Sequence, residues 1–307
     1  MKPNPTAINT SSSRRVPVAL ITLMAVYAMA ALLPLFSGIA PQLIVAANII
    51  PPAIFAFVHG SQVYRLRGIL AFTAICFVVG NILENIGIRT GFPFGSYSFT
   101  DVMGPKLLGV PLLMGPAYLA IGYTSWILSQ IILSPAEEID LRPRILATPL
   151  LATCIMVAWD FSAEPMWSTV GHFWIWRHGG PYFGIPISNF LGWFLANYII
   201  FQVFALYLAK RAVAEGVARV YWRLGVISFL VVIAASLARS ALVWSFGVIP
   251  DATGIPWRAG SIALASAMVS LLLMGTFAFL AGRKVLGKST GNDRHAPAIL
   301  AEKAALE

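Results

Sequence analysis

Long apolar stretches separated by short polar connections run along almost the whole chain. With a window of about 19 residues we find eight of them, near residues 17–36, 42–58, 69–88, 107–133, 145–161, 186–209, 224–247 and 260–282. Most are long enough, as helices, to cross a hydrocarbon core of about 30 Å. We therefore predict an all-α, polytopic integral membrane helical bundle with about eight transmembrane spans. The number is seven if the second stretch, which contains Pro51 and Pro52, is re-entrant.

The connections and tails are too short to form a separate soluble domain, so residues 17–282 are predicted to form a single membrane domain. Residues 1–16 are predicted to be a disordered cytoplasmic tail and residues 283–307 a cytoplasmic C-terminal tail, since both are polar with mixed charges. The first apolar stretch resembles a signal peptide, but it exceeds the usual apolar region in length, which favours an uncleaved anchor.

Composition and charge support a membrane location. Hydrophobic residues make up 58% of the chain and charged residues 11%, whereas soluble domains carry about a quarter charged residues. If the amino terminus is cytoplasmic, sixteen Lys and Arg residues lie in inside segments and four in outside segments. This imbalance explains the net charge of +9 by topology and predicts no nucleic-acid partner. We expect a multi-pass protein of the cell inner membrane with both termini cytoplasmic.

Two glycine-rich loops share a pattern and fall on the same side of the predicted membrane. Residues 91–97 read Gly-Phe-Pro-Phe-Gly-Ser-Tyr, and residues 180–186 read Gly-Pro-Tyr-Phe-Gly-Ile-Pro. Both combine Phe-Gly with a nearby tyrosine, and a Gly-Val-Pro or Gly-Ile-Pro step leads into the next span. Tight re-entrant loops would explain the glycines and prolines alone, because glycine permits positive φ and proline suits a first helical turn.

Polar residues inside the apolar stretches are few, and such residues usually face a cavity or one another. They are Asn81, Glu84 and Asn85 near the end of the third stretch, Asp160 and Glu164 at the end of the fifth, Asn189, Trp193 and Asn197 at steps of four on the sixth, and Arg239 within the seventh. We expect Arg239 to neutralise a carboxylate on a neighbouring helix. A structural ion pair with bridging asparagines would give the same pattern without catalysis.

These residue types favour acid chemistry on an apolar substrate. A buried carboxyl group can act as a general acid, and aromatic faces stabilise a developing cation, so together they suit alkene protonation. Walker, Rossmann, di-iron and serine-hydrolase motifs are missing from the sequence. His172 and His178 could in principle bind a metal with Asp160 and Glu164, but solvated interfacial histidines are more common, and we predict no metal.

These segments resemble the carotenoid biosynthesis membrane family that includes the γ-carotene 1′,2′-hydratases and the bisanhydrobacterioruberin hydratases. The resemblance covers about residues 69–209. It lies in Glu84, the segments 90–97 and 109–111, Asp160, Glu164-Pro165, Trp174-x-Trp176, the segment 182–186 and Asn189-Phe190-x-Gly192-Trp193. The Glu164-Pro165 step departs from the Asp-Pro that the family leads us to expect, which weakens a catalytic role for Glu164.

The resemblance implies a hydro-lyase that adds water to the terminal 1,2 double bond of an acyclic carotenoid end group and forms a tertiary alcohol. It implies no cofactor, a membrane-dissolved carotenoid taken from the lipid bilayer, and other carotenoid-pathway enzymes as candidate partners. Our hypothesis gives catalytic roles to Glu84, Asp160, Asn81 and Asn189, with Arg239 as charge partner. The predicted substrate-binding residues are Phe94, Tyr97, Trp174, Trp176, Tyr182, Phe183, Trp193 and Asn197.

Two alternatives stay open. A proton-initiated carotenoid or isoprenoid cyclase would form the same cation but capture it with an internal alkene. A non-catalytic lipid-binding or carrier membrane protein would use the buried charges only for packing.

Overall fold

A computed structural model describes residues 10–30, 32–33, 38–135, 139, 141–211 and 217–286. The helices in these ranges are α1 Thr10–Ala30, α2 Pro41–Thr90, α3 Met114–Leu133, α4 Ala147–Glu164, α5 Ile187–Ala209, α6 Arg219–Val243, α7 Ala259–Met268 and α8 Gly275–Leu286. The π-helical segment Pro165–Val170 continues α4, and a second one, Val269–Met274, joins α7 to α8. The protein is thus an all-α bundle, as predicted.

The ends of the helices differ from the predicted tails. Helix α1 begins at Thr10, inside the segment predicted to be a disordered tail, and α8 continues to Leu286. The predictions for residues 1–9 and 287–307 lie outside the described residues.

Helix α2 reverses direction at Arg65 and therefore forms two spans. Arg65 has non-helical backbone angles, φ 59° and ψ 168°. A Cβ atom placed on Gly60 would lie 2.4 Å from Cδ1 of Ile69, although nine residues of uninterrupted helix would separate them by about 14 Å along the axis. The arms 41–64 and 66–90 are thus antiparallel neighbours, matching the second and third predicted spans. With this reversal, the described helices make eight passes.

The outer faces of the bundle are apolar, as lipid contact requires. Five described helical segments are long and apolar enough to cross a membrane: α2, α3, α5, α6 and the continuous run 259–286. Large hydrophobic side chains such as Leu230, Leu271 and Phe279 are exposed on these faces. Helix α3 lies at the centre, with its Tyr118, Tyr123 and Trp126 fully enclosed.

Short antiparallel strand pairs connect the loops at one end of the bundle. Strand β1 Tyr97–Phe99 pairs with β4 Trp174–Trp176, and Tyr97 lies opposite Trp176. Strand β2 Lys106–Leu107 pairs with β3 Val110–Pro111, and β5 Val248–Pro250 pairs with β6 Pro256–Arg258. The β1–β4 pair joins the two glycine-rich loops, so residues from distant parts of the sequence meet above the ends of α2 and α4.

Candidate active site

Three carboxyl groups are buried where α2 and α4 end beneath the β1–β4 pair. Glu84 is 3% exposed, Asp160 2% and Glu164 1%. Within the described ranges the one ion pair shorter than 4 Å joins Lys106 to Asp101, away from these groups. Neutral hydrogen-bond donors therefore hold all three carboxyl groups.

Glu84 accepts hydrogen bonds from two tyrosine hydroxyls. Tyr118 on α3 donates to Oε1 at 2.9 Å, and Tyr97 on β1 donates to Oε2. Burial, followed by the charge of Glu84, raises the pKa of Tyr97 well above its usual value, so Tyr97 remains a protonated donor. Gly87 is required for this approach, because a Cβ atom there would lie 3.0 Å from the Tyr97 hydroxyl and 2.9 Å from the Phe94 ring.

Glu164 accepts hydrogen bonds from two indoles through a single oxygen. The Nε1 atoms of Trp174 and Trp176 lie 2.7 and 2.8 Å from Oε1. Residues two apart on a strand point to the same face, so β4 presents both indoles to Glu164. The spacing Trp-x-Trp therefore has a direct structural use.

Asp160 lies one turn before Glu164 on α4, which places both side chains on the same helical face. The Nδ2 atom of Asn189, in the first turn of α5, donates to Asp160 Oδ2 at 3.1 Å. Asp160 thus has one side-chain donor, whereas Glu84 and Glu164 each have two. The three carboxyl groups are close enough to interact electrostatically.

Two cavities meet at Glu164. The larger one, here called the inner cavity, has a volume of about 60 Å³ and is lined by Asp160, Glu164 and the four tryptophans Trp159, Trp167, Trp174 and Trp193. A smaller side cavity of about 20 Å³ is lined by Glu84, Glu164, Asn189 and the aromatic residues Phe94, Tyr97, Phe99, Trp174, Trp176 and Trp193. Acidic and aromatic side chains thus share the walls of both spaces.

Two tryptophans that line the inner cavity have polar atoms without partners in the described ranges. The indole Nε1 atoms of Trp159 and Trp167 are buried and receive no hydrogen-bond acceptor from the described part of the chain. Buried donors are normally paired with protein or water, so these N–H groups are available to a polar guest. No group of three or more His, Cys, Asp or Glu side chains in the described ranges is arranged to hold a metal ion.

The structure brings together nine of the predicted site residues around these two cavities. They are Glu84, Asp160, Asn189, Phe94, Tyr97, Trp174, Trp176, Trp193 and Arg239.

Four other predicted site residues have separate contacts. Asn81 is half-buried and donates to the Phe77 carbonyl oxygen within α2, and Asn197 donates to the Trp193 carbonyl oxygen within α5. Tyr182 donates to the Phe161 carbonyl oxygen at 3.0 Å, and burial followed by the Asp160 charge raises its pKa to about 12. The ring of Phe183 packs against Tyr182 and Trp257.

Arg239 lines the inner cavity but does not form the expected ion pair with a carboxylate. Its Nη1 atom donates to Asn48 Oδ1 at 3.1 Å, and its guanidinium lies 5.7 Å from the centre of the Trp167 ring. The expectation of a charge pair is therefore corrected: the neutral amide of Asn48, on the first arm of α2, is the partner. The sequence does not reveal this contact because it depends on the reversal at Arg65.

The positions of Glu164 and Tyr118 in the site do not follow from the sequence alone. Glu164 stands where the resemblance predicts an Asp-Pro step, which weakens the prediction of a catalytic role, yet it lines both cavities. Its four-residue spacing from Asp160 was the available signal. Tyr118 is one of several aromatic residues in α3, and nothing in its local sequence marks it as a partner of Glu84.

Comparisons with known proteins point to one family. The family described as carotenoid biosynthesis protein matches residues 41–255, which include every residue that lines the two cavities except Tyr27. The bisanhydrobacterioruberin hydratase of Haloarcula japonica is 29% identical over 123 residues, which is 40% of this chain and 40% of that protein. No solved structure is significantly similar to the chain.

Proposed function

Because this chain belongs to the carotenoid biosynthesis protein family, we propose that it hydrates the terminal 1,2 double bond of an acyclic carotenoid end group. The product is a tertiary alcohol, with the hydroxyl on C1 and the added hydrogen on C2. The relative from Haloarcula japonica is named a hydratase, which supports this reaction type. Water addition is redox-neutral, so the proposed hydro-lyase reaction requires no cofactor.

The observation that carries the proposal is the pair of acids on one face of α4. Asp160 and Glu164 both line a cavity whose remaining walls include four indole rings. An acid can protonate an alkene that lies against it, and aromatic faces attract the cation that forms. A second carboxyl group beside the same cation, in its ionised form, can accept a proton from the attacking water.

We assign the roles by counting hydrogen-bond donors. A hydrogen bond to a charged group contributes about 1.5–3 kcal/mol, so the two indoles on Glu164 favour its carboxylate more than the single amide favours that of Asp160. Asp160 then donates its proton to C2, and Glu164 removes a proton from the water that attacks C1. Since the two groups lie one turn apart, the proton returns from Glu164 to Asp160 and completes the cycle.

The side cavity provides a place for the water. It is lined by both Glu84 and Glu164, so a water molecule there can donate hydrogen bonds to two carboxyl groups. Tyr97 and Tyr118 fix the Glu84 carboxyl group through their hydroxyls. The indole N–H groups of Trp159 and Trp167, which have no partner in the described residues, would donate hydrogen bonds to the oxygen of the new hydroxyl group.

The experiment that tests the proposal is co-expression in a bacterium that accumulates lycopene. The pigments are extracted and compared by chromatography and mass for wild type, Asp160→Asn and the control Cys154→Ala, which changes an exposed residue. We expect a product heavier by one water from wild type and the control, and a loss of about 10²–10⁴-fold in Asp160→Asn.

Other outcomes separate the alternatives. An isomer of unchanged mass would indicate a cyclase. Unchanged lycopene in cells with well-expressed protein would contradict hydration of this substrate and favour a carrier role.

A further inference from the structure

A third cavity, here called the outer cavity, adjoins the inner cavity and has a volume of about 200 Å³. Its walls come from three elements: the first arm of α2, the π-helical segment after α4, and the last turns of α6. Most of the lining is apolar and includes Ile44, Met166, Val170, Leu242 and Phe246. Arg239 and Leu242 lie on one face of the last turn of α6, and Phe246 lies in the turn that follows the helix.

The outer cavity lies between the protein surface and the inner cavity. At its rim Phe246 is 56% exposed, whereas Asn48 at the opposite end is 8% exposed. Asn48, Trp167 and Arg239 line both cavities and are here called the neck. Asn48 and Arg239 are joined there by a hydrogen bond, so the two spaces adjoin at the neck.

A linear carotenoid requires a path from the bilayer to Asp160 and Glu164. Its polyene is about as long as a bilayer is thick, on the order of 30 Å, so a bound end group leaves most of the chain to be accommodated elsewhere. The outer cavity adjoins the inner one, is mostly apolar and is open at the rim. Charged or amide side chains in it occur only at the neck, where Arg239 and Asn48 lie.

We propose that the outer cavity binds the polyene chain of the substrate, which enters from the bilayer between α2 and α6 and reaches the acids through the neck. This inference rests on the proposed function for the identity of its ligand. At the neck the Arg239 guanidinium already faces the Trp167 ring, and its buried Nε atom has no hydrogen-bond partner in the described residues. A conjugated chain passing this cation offers it a second π surface. We expect ring-bearing ends, which are wider, to pass the neck less readily than acyclic ends.

A labelling experiment tests the path without depending on turnover. Leu242→Cys is introduced into the Cys154→Ala protein, in which the remaining Cys76 is buried, and the purified protein is placed in lipid vesicles. A lipid-soluble maleimide then modifies the new thiol with or without lycopene. We expect lycopene to slow modification at least fivefold, and β-carotene, which has cyclic ends, to slow it less than twofold.

The matched control is Leu230→Cys in the same background. Leu230 lies on the same helix, is 48% exposed and lines none of the three cavities. Equal slowing at both positions, or no slowing at Leu242→Cys, would overturn the path. Protection at Leu242→Cys without any hydration product would instead remove the proposed reaction and keep the binding site.

A blocking variant provides the second measurement. Leu242→Trp should lower hydration of lycopene at least tenfold in the co-expression assay, while Leu230→Trp stays within twofold of wild type. If Leu242→Trp fails to accumulate in the membrane, Val170→Phe places the obstruction on the opposite wall. Wild-type rates from a well-expressed blocking variant would contradict the path even where hydration itself is observed.

Discussion

At the scale of single residues, the two indole hydrogen bonds on Glu164 determine what this side chain can do. Both donors lie on one strand and meet one oxygen, so they orient the carboxyl group as well as favouring its charged form. A longer Glu in place of the expected Asp extends the carboxyl group further from the α4 backbone. Its departure from the family pattern is therefore compatible with a direct role.

Glu164→Gln should reduce the hydration rate by about 10²–10⁴-fold, because the amide cannot take a proton from water. Glu164→Asp keeps the charge but shortens the side chain, so we expect an intermediate loss. The rate of water-adduct formation per amount of membrane-inserted protein measures both. A fully active Glu164→Gln protein would exclude Glu164 as the base and leave Glu84 as the remaining candidate.

Asn189 and Asn81 were both predicted to be catalytic, but they have different surroundings. Asn189 donates to Asp160, whereas Asn81 donates to its own helix at Phe77. We expect Asn189→Ala to lower the hydration rate about 10–100-fold, because it removes the hydrogen bond that orients the Asp160 carboxyl group. Asn81→Ala should stay within about twofold, because it removes only a hydrogen bond within α2. The same assay decides between them, and equal losses would argue against the assigned position of Asn189 beside the reacting atoms.

At the scale of elements, the first glycine-rich loop docks on α5 through Gly192. A Cβ atom there would lie 2.7 Å from the Phe94 ring and 2.9 Å from the Pro93 backbone. The glycine thus lets a loop that carries Phe94 and Tyr97 approach the helix that carries Asn189 and Trp193. The Ser188 hydroxyl in the first turn of α5 also donates to the Phe94 carbonyl oxygen at 2.9 Å, so the positions of loop and helix are coupled.

Gly192→Ala should therefore destabilise the protein although alanine favours helix. The gain in helix propensity is at most about 1 kcal/mol, whereas overpacking against backbone costs about 1–3 kcal/mol. Gly282→Ala in α8 is the control, because its Cβ would meet its nearest neighbour, Val226, at 4.0 Å. Thermal unfolding in detergent should show a lower midpoint for Gly192→Ala and an unchanged or higher one for Gly282→Ala. The opposite order would contradict the tight contact.

At the scale of the whole molecule, hydropathy was enough to predict the all-α membrane bundle. The short second stretch with Pro51 and Pro52 proved to be a helical arm, because the prolines lie inside a continuous helix that ends at Arg65. Local patterns could not predict the β1–β4 pairing, since strand partners 75–79 residues apart have no mark in either segment. Asp160 and Glu84 could be predicted as candidate site residues from their positions in apolar stretches. The partners of Glu164 and Arg239 could not, because those contacts depend on the folded arrangement.

The orientation of the bundle remains a prediction, and it decides from which leaflet the substrate enters. The strand pairs lie at one end of the bundle and the Arg65 reversal at the other, and Lys and Arg residues are normally retained on the cytoplasmic side. In the described ranges twelve of them lie on the side of Arg65 and four on the side of the strands, so the outer cavity should open toward the outer leaflet. Two exposed positions are suitable for labelling from the two sides of the membrane: Ala252 in the β5–β6 turn and Arg67 beside the reversal.

In the Cys154→Ala background, a membrane-impermeant maleimide should label Ala252→Cys in intact spheroplasts. It should label Arg67→Cys only after the membrane is permeabilised, because the reagent cannot cross the bilayer. The reverse pattern would place both termini outside and make the carotenoid enter from the cytoplasmic leaflet. Labelling at both positions before permeabilisation would point to leaky membranes, which a cytoplasmic marker protein in the same preparation detects.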